Sequence, residues 1–145
     1  MTNITLFLEQ EGYFKVSFKI RKSNHLFVNV KINGVKGLFL IDTGASNTCI
    51  DLEMQNHFKM QTVAHHAKAS GAGANGLYTE ISKNNTLQFN TWKTKSNAII
   101  LLDLSHVNTA LTEYKLPKVQ GIIGSDLLKK HEAIINYSLC TLFIR

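Results

Sequence analysis

One hairpin constrains this chain of 145 residues more than any other stretch. Leu26, Val28, Val30 and Ile32 recur at period two, the mark of a strand with one buried face. Asn33-Gly34 follows, and a two-residue Asn-Gly loop favours a type I′ turn because both positions need φ above zero. The return strand, Val35 to Ile41, ends in the apolar run Leu38-Phe39-Leu40-Ile41, which reads as buried, and it delivers Asp42. Thr43, Gly44, Ala45 and Ser46 then form a turn signature. A carboxylate at the mouth of a buried strand is expected to be partly desolvated, and must find a partner or shift its pKa. Two readings of Asp42 stand side by side on these residues: a side chain capping its own turn, or a reactive carboxylate.

A second anchor lies about eighty residues on. Gln120-Gly121-Ile122-Ile123-Gly124 is an apolar pair closed by glycine, and Ser125 and Asp126 are N-cap candidates for a short helix through Lys130. An Asp-Thr-Gly-Ala-Ser box after an apolar strand, followed by an apolar-apolar-Gly segment at this distance, resembles the retroviral-type (retropepsin-like) aspartic proteases. The resemblance spans Leu26 to Ile144. It implies a homodimeric endopeptidase acting on an extended polypeptide. Asp42, Thr43 and Gly44 would then be the catalytic residues, with Thr43 bracing the pair across the two-fold axis. Ala45 and Ser46 would line the cleft, and Ile122, Ile123 and Gly124 would pack beneath the catalytic loop. Many viral members carry an acidic residue at the position of Ser46 and Arg at that of Ser125; this chain has Ser at both.

The remaining chain reads mostly as short strands. Thr2 to Leu8 is a candidate first strand, and Phe14, Val16, Phe18 and Ile20 alternate with Lys15, Ser17 and Lys19. Thr48 to Ile50 continues as a strand, and Asp51 to Phe58 suggests one or two helical turns. Strands over Ala64 to Ser70 and Leu77 to Lys83 flank a Gly-rich segment, and Thr86 to Phe89 and Thr94 to Leu102 follow. Ser105 to Lys118 is polar, and Ala133 to Ile144 reads as a terminal hairpin. The expectation is a single all-β domain over 1–145, a closed barrel with a flap hairpin and one or two short helices, with 1–22 a candidate N-terminal addition.

The Gly-rich segment Gly71-Ala72-Gly73-Ala74-Asn75-Gly76 matches G-x-G-x-x-G by letter. A dinucleotide site would need an apolar strand before it, a helix after it and an acid about twenty residues on. None of these is present, so the match is rejected. Two readings remain, a plain loop or a hairpin tip that opens cheaply; the resemblance assigns these six residues to a substrate-binding flap.

Composition narrows the alternatives. At 44% hydrophobic the chain can bury a core without metal or disulfides, and at 18% charged it is not disordered. A net charge of +6 invites an acidic partner, but the densest basic group, Lys15, Lys19, Arg21 and Lys22, looks like the solvated face of a strand, so nucleic acid is not expected. His65 and His66 would face opposite sides of a strand, the other histidines lack ligand spacing, and no metal or cofactor is expected. Cys49 and Cys140 read as free buried thiols, with a single disulfide left open. Met1 to Glu9 lacks the basic start of a signal peptide, and the longest apolar run, Ala98 to Leu102, is too short to span a membrane. A cytoplasmic location is the default expectation. The mechanism that hydrolyses a peptide bond between two carboxylates needs a second Asp, and Asp51, Asp103 and Asp126 all lack the following Thr-Gly. A two-fold dimer supplies it by placing Asp42 opposite its copy. The alternative is a catalytically silent dimer of the same fold that binds peptides or serves as a scaffold.

Overall fold

The computed structural model describes residues 3–65 and 78–145. In chain order the elements are α1 (Ile4–Gln10), β1 (Phe14–Ser17), β2 (Lys19–Ile20), β3 (Leu26–Ile32), β4 (Val35–Ile41) and β5 (Cys49–Asp51), then a 3-10 turn (Leu52–Met54). They continue with β6 (Thr62–His65), β7 (Thr79–Ser82), β8 (Thr86–Phe89), β9 (Trp92–Lys95), β10 (Ile99–Leu102) and α2 (Ser105–Glu113). The last are β11 (Gly121–Ile123), α3 (Ser125–Lys130), β12 (Ile134–Asn136) and β13 (Thr141–Ile144).

The β3–β4 hairpin forms as its sequence requires. Ile32 pairs with Val35, and Asn33 and Gly34 take φ of 51° and 82°, both positive as a type I′ turn demands. Asn33 does more than turn. Its amide donates to Phe58 O and Asn85 Oδ1, and its oxygen accepts from Thr86 N, which ties the hairpin tip to its neighbours.

The hairpin sits inside a large mixed sheet with strand order β6-β7-β10-β5-β11-β4-β3-β8-β9, with β2 added beside β3. Two of its pairings, β10 with β5 and β11 with β4, are parallel; the others are antiparallel. The ends of this order, β6 and β9, do not pair with each other, so the expected closed barrel is not formed among the described residues. The outer strand β9 ends in solvent-facing Lys93 and Lys95, the kind of charged edge that resists further pairing. The chain termini build a separate sheet, β1-β13-β12.

The all-β expectation also gives way to a mixed architecture with three short α-helices among the described residues. Residues 4–8 are helical rather than a strand, because Asn3 Oδ1 accepts from Leu6 N at 3.2 Å and caps the first turn. The polar stretch from Ser105 contains α2, which buries Asn108 and Leu111. The Thr94 to Leu102 stretch is two strands, β9 and β10, separated by residues 96–98. Two apolar clusters fill the fold. One gathers Phe39, Phe58, Phe89, Ile32 and Leu142; the other gathers Phe27, Leu40, Ala45, Cys49, Leu104 and Ile122.

Candidate functional site

The chain leaves β4, turns through residues 42–48 and returns as β5, and β11 lies between those two strands. Ile122 pairs with Leu40 on one side and Cys49 on the other, and Ile123 pairs with Ile41. The Ile122-Ile123-Gly124 segment therefore lies under the Asp42 loop. Asp42 N donates to Ile123 O at 2.9 Å, and Ser125 N donates to Ala45 O at 2.7 Å, so the loop is held at its start and middle. Gly124 has to be glycine for reasons of space: a Cβ there would lie 2.6 Å from Asn47 C and 2.8 Å from Ala45 O.

Within the loop, Gly44 N donates to Asp42 Oδ1 at 2.9 Å and Ala45 N to Asp42 O at 3.2 Å. Asp42 does cap its own turn through Oδ1, the first of the two readings its sequence allowed. Asp42, Thr43, Gly44 and Ser46 are exposed, while Ala45 is buried. The expectation of a partly desolvated Asp42 is thus corrected for the single chain: the loop turns out of the core at the end of β4, and water reaches the carboxylate.

Two further residues, Thr48 and Asp126, hold the loop in roles that the sequence did not show. Asp126 Oδ1 accepts from Thr48 N, Thr48 Oγ1 and Leu127 N at 2.8–2.9 Å, and Thr48 Oγ1 in turn accepts from Gly124 N at 3.1 Å. The N-cap of α3 is Gly124, so Asp126 is not the cap its position suggested but a clamp between α3 and the far end of the Asp42 loop. The only available signal was an Asp in the first turn of a short helix.

Cys49 lies next to this network. Burial, reinforced by the carboxylates of Asp126 and Asp42, pushes its thiol up to about 12. Both cysteines are free. Among the described residues no group of three His, Cys, Asp or Glu side chains could hold a metal ion. A shallow groove of about 230 Å³ runs beside Thr43, walled by Ser125, Leu128, Ala133 and Ile135 with Lys129 and Glu132 at its rim. The arms of the hairpin assigned to the flap, β6 and β7, pair from Thr62↔Ser82 to His65↔Thr79. Gly71, Ala72, Gly73, Ala74, Asn75 and Gly76 lie outside the described residues.

A strand-delivered Asp-Thr-Gly loop braced from below by an apolar-apolar-Gly strand defines a retropepsin-like aspartic-protease fold. Residues 28–127 match the aspartyl protease family profile, and the chain belongs to that family. Its fold is similar to that of a retropepsin-like aspartic protease from Rickettsia conorii, with a TM-score of 0.57 and 16% identity over 92% of this chain and 89% of that one. The retroviral protease-like domain of Ddi1 from Leishmania major gives 0.56 and 18%, covering 83% and 87% of the two chains. EIAV protease, in complex with the inhibitor HBY-793, gives 0.54 and 19%, covering 77% and 92%. No curated protein sequence matched the chain. No helix among the described residues is long and apolar enough to cross a membrane.

Proposed function

We propose that this protein is a homodimeric aspartic endopeptidase that cleaves an extended polypeptide between the Asp42 carboxylates of two copies. The observation that carries the reading is the display of Asp42. Its loop is tied down along its length, yet its carboxylate is exposed at the end of β4, and the sequence holds one Asp-Thr-Gly. In this reading one carboxylate is ionised and its partner protonated, because two such groups about 3 Å apart cannot both ionise easily. The ionised one takes a proton from a water whose oxygen attacks the peptide carbonyl carbon. The protonated one gives its proton to the carbonyl oxygen. Collapse of the resulting gem-diol breaks the C–N bond: the carboxyl that took the water proton gives it to the leaving nitrogen, and the other, now ionised, takes a proton from a gem-diol hydroxyl, so that the carbonyl reforms as a carboxylic acid.

Thr43 would brace the pair across the axis, Gly44 would admit the substrate backbone, and Ala45 and Ser46 would line the cleft. Gly71 to Gly76 would close over the bound peptide, excluding water and completing the site. The groove beside Thr43 adjoins the proposed axis and would be covered by the second copy. Two free thiols suit a reducing compartment such as the cytoplasm.

The test is subunit mixing on a peptide library. Wild type should cleave, with a bell-shaped pH dependence whose limbs belong to the pair, and Asp42→Asn should not. An equal mixture allowed to exchange subunits should keep about a quarter of its dimers fully wild type and lose activity accordingly. Full activity in Asp42→Asn would reject the mechanism. Activity per wild-type chain that ignores mixing would reject the dimer. A wild type that binds peptides but cleaves none would establish the silent alternative.

A further inference from the structure

Charge is unevenly distributed along this chain, and the fold concentrates the imbalance. Residues 12–41 and 81–102 hold nine of the sixteen Lys and Arg side chains and none of the ten Asp and Glu. These two acid-free segments supply the four adjacent strands β4, β3, β8 and β9. The pairing register then sets their polar residues in one row: Lys36 opposite Lys31, Lys31 opposite Gln88, and Gln88 opposite Lys93. Partners across a ladder share a sheet face, so the row spans three inter-strand gaps, ~14 Å. Lys95, two residues from Lys93 and opposite Thr86, extends the same face.

None of these four lysines makes an ion pair among the described residues. Lys31 and Lys36 sit directly opposite each other, an arrangement that repels. They border an open groove of about 370 Å³ lined by Asn29, Gln88 and Asn90, with no carboxylate in its walls. An acid-free groove with a repelling lysine pair at the β4 end of the row has the complement of an anionic ligand.

We propose that this face is a docking site for an acidic stretch of polypeptide. Phosphate recognition in nucleic acids favours the planar fork of Arg, and single-strand binding favours exposed aromatic platforms. This row has neither, whereas separate ammonium groups suit the spaced carboxylates of an extended peptide. Lys36 lies six residues before Asp42 on the strand that delivers it, ~20 Å away. As a substrate-selecting site the face rests on the endopeptidase reading, and it then favours polypeptides with Asp or Glu six or more residues from the cleaved bond. As a binding site it stands without that reading.

Binding is therefore measured on the Asp42→Asn protein, where cleavage plays no part. A fluorescent Glu-rich peptide, its Gln-for-Glu counterpart and a duplex DNA of similar length are titrated at low salt and at ~0.15 M. The Glu peptide should bind, more weakly as salt rises, and the Gln peptide should not. Lys31→Gln/Lys36→Gln/Lys93→Gln should weaken it by about tenfold or more, while Lys118→Gln, outside the row, should not. The triple variant should unfold at the same or higher urea concentration, which excludes misfolding as the cause. If wild type cleaves, the triple variant should raise KM for Glu-extended substrates alone and leave kcat unchanged. Equal binding by the triple variant, no discrimination between Glu and Gln peptides, or tighter binding of DNA than of the Glu peptide would overturn the assignment.

Discussion

Replacing Gly124 by Ala tests how the Asp42 loop is held. The new methyl would lie 2.6 Å from Asn47 C, 2.7 Å from Asn47 O and 2.8 Å from Ala45 O. All three are backbone atoms, so no side chain can rotate aside. Ordinary Cβ contact begins near 3.4 Å, so the end of β11 and the loop must part by about 0.8 Å. Two hydrogen bonds cross that gap, Ser125 N to Ala45 O at 2.7 Å and Gly124 N to Thr48 Oγ1 at 3.1 Å. Stretched by that amount, both leave good hydrogen-bonding range. Overpacking of ~1–3 kcal/mol and ~1 kcal/mol for each of the two weakened bonds give an expected loss of about 3–5 kcal/mol. Backbone strain cannot account for such a loss, because Gly124 has φ −97° and ψ 179°, which any residue adopts. Without the clash, Ala would instead stabilise by ~0.4–1 kcal/mol through the unfolded chain. The urea midpoint decides the sign. If the proposed peptidase activity exists, kcat/KM should fall by about a hundredfold, the usual cost of a 1 Å misplacement of reacting groups. Unchanged or raised stability in Gly124→Ala would refute the close approach on which the argument rests.

Thr48→Val should cost ~1–3 kcal/mol in urea unfolding, because it leaves the buried Gly124 N–H without its acceptor, while Thr48→Ser keeps the hydroxyl and should lose less. Cys49, with its thiol pushed up to about 12 by burial, Asp126 and Asp42, should resist a neutral-pH thiol reagent until the protein unfolds; rapid native labelling at Cys49, located by mass spectrometry, would contradict its burial. Burial, then the charge of Lys130, pulls the His131 pKa below its ordinary 6.5, against the backbone hydrogen bond to Arg145 O, which raises it. The folded state therefore holds fewer protons at this site than the unfolded chain, and the contribution of His131 to stability is complete above pH 6.5 and lost as pH falls through the folded pKa. His131→Gln should accordingly flatten the dependence of the urea midpoint on pH below 6.5.

What could be read from the sequence was local. The hairpin carries its own instructions in period two and Asn33-Gly34, and the two apolar runs that end at Asp42 and Gly124 are short enough for their chemistry to be plain. Beyond those signals the reading failed at one local cap and wherever a residue's role is set by something distant in sequence. Ile4, Leu6 and Leu8 alternate like a strand, yet only Leu8 is buried, and the Asn3 cap turns the segment into a helix. Asn108 looks like any polar residue in a polar stretch. Folded, its amide donates to Val119 O and accepts from Val119 N, satisfying the backbone of the segment that leads into β11. Asp126 reads as a helix cap because its partner Thr48 is 78 residues away.

The same reasoning explains why a desolvated Asp42 was expected and an exposed one found. Sequence shows that an apolar strand ends in a carboxylate, but burial depends on what is laid against that end. Among the described residues none covers it: β11 and α3 support the loop from beneath, and Asp42, Thr43 and Gly44 are exposed. Cys49 is the contrast, three residues past Ser46, where the chain has re-entered the sheet between β10 and β11 and its thiol is buried. The described residues of one chain thus hold the loop from its start to its far end and leave Asp42 exposed. On the proposed reading a second copy supplies the environment that makes this carboxylate reactive, together with the second Asp42. The order of events on dilution follows from this: activity should disappear with dimer dissociation while the urea midpoint of each chain changes little, since the contacts that fix the loop are all internal. Loss of fold and activity together on dilution would mean that the partner also holds the loop.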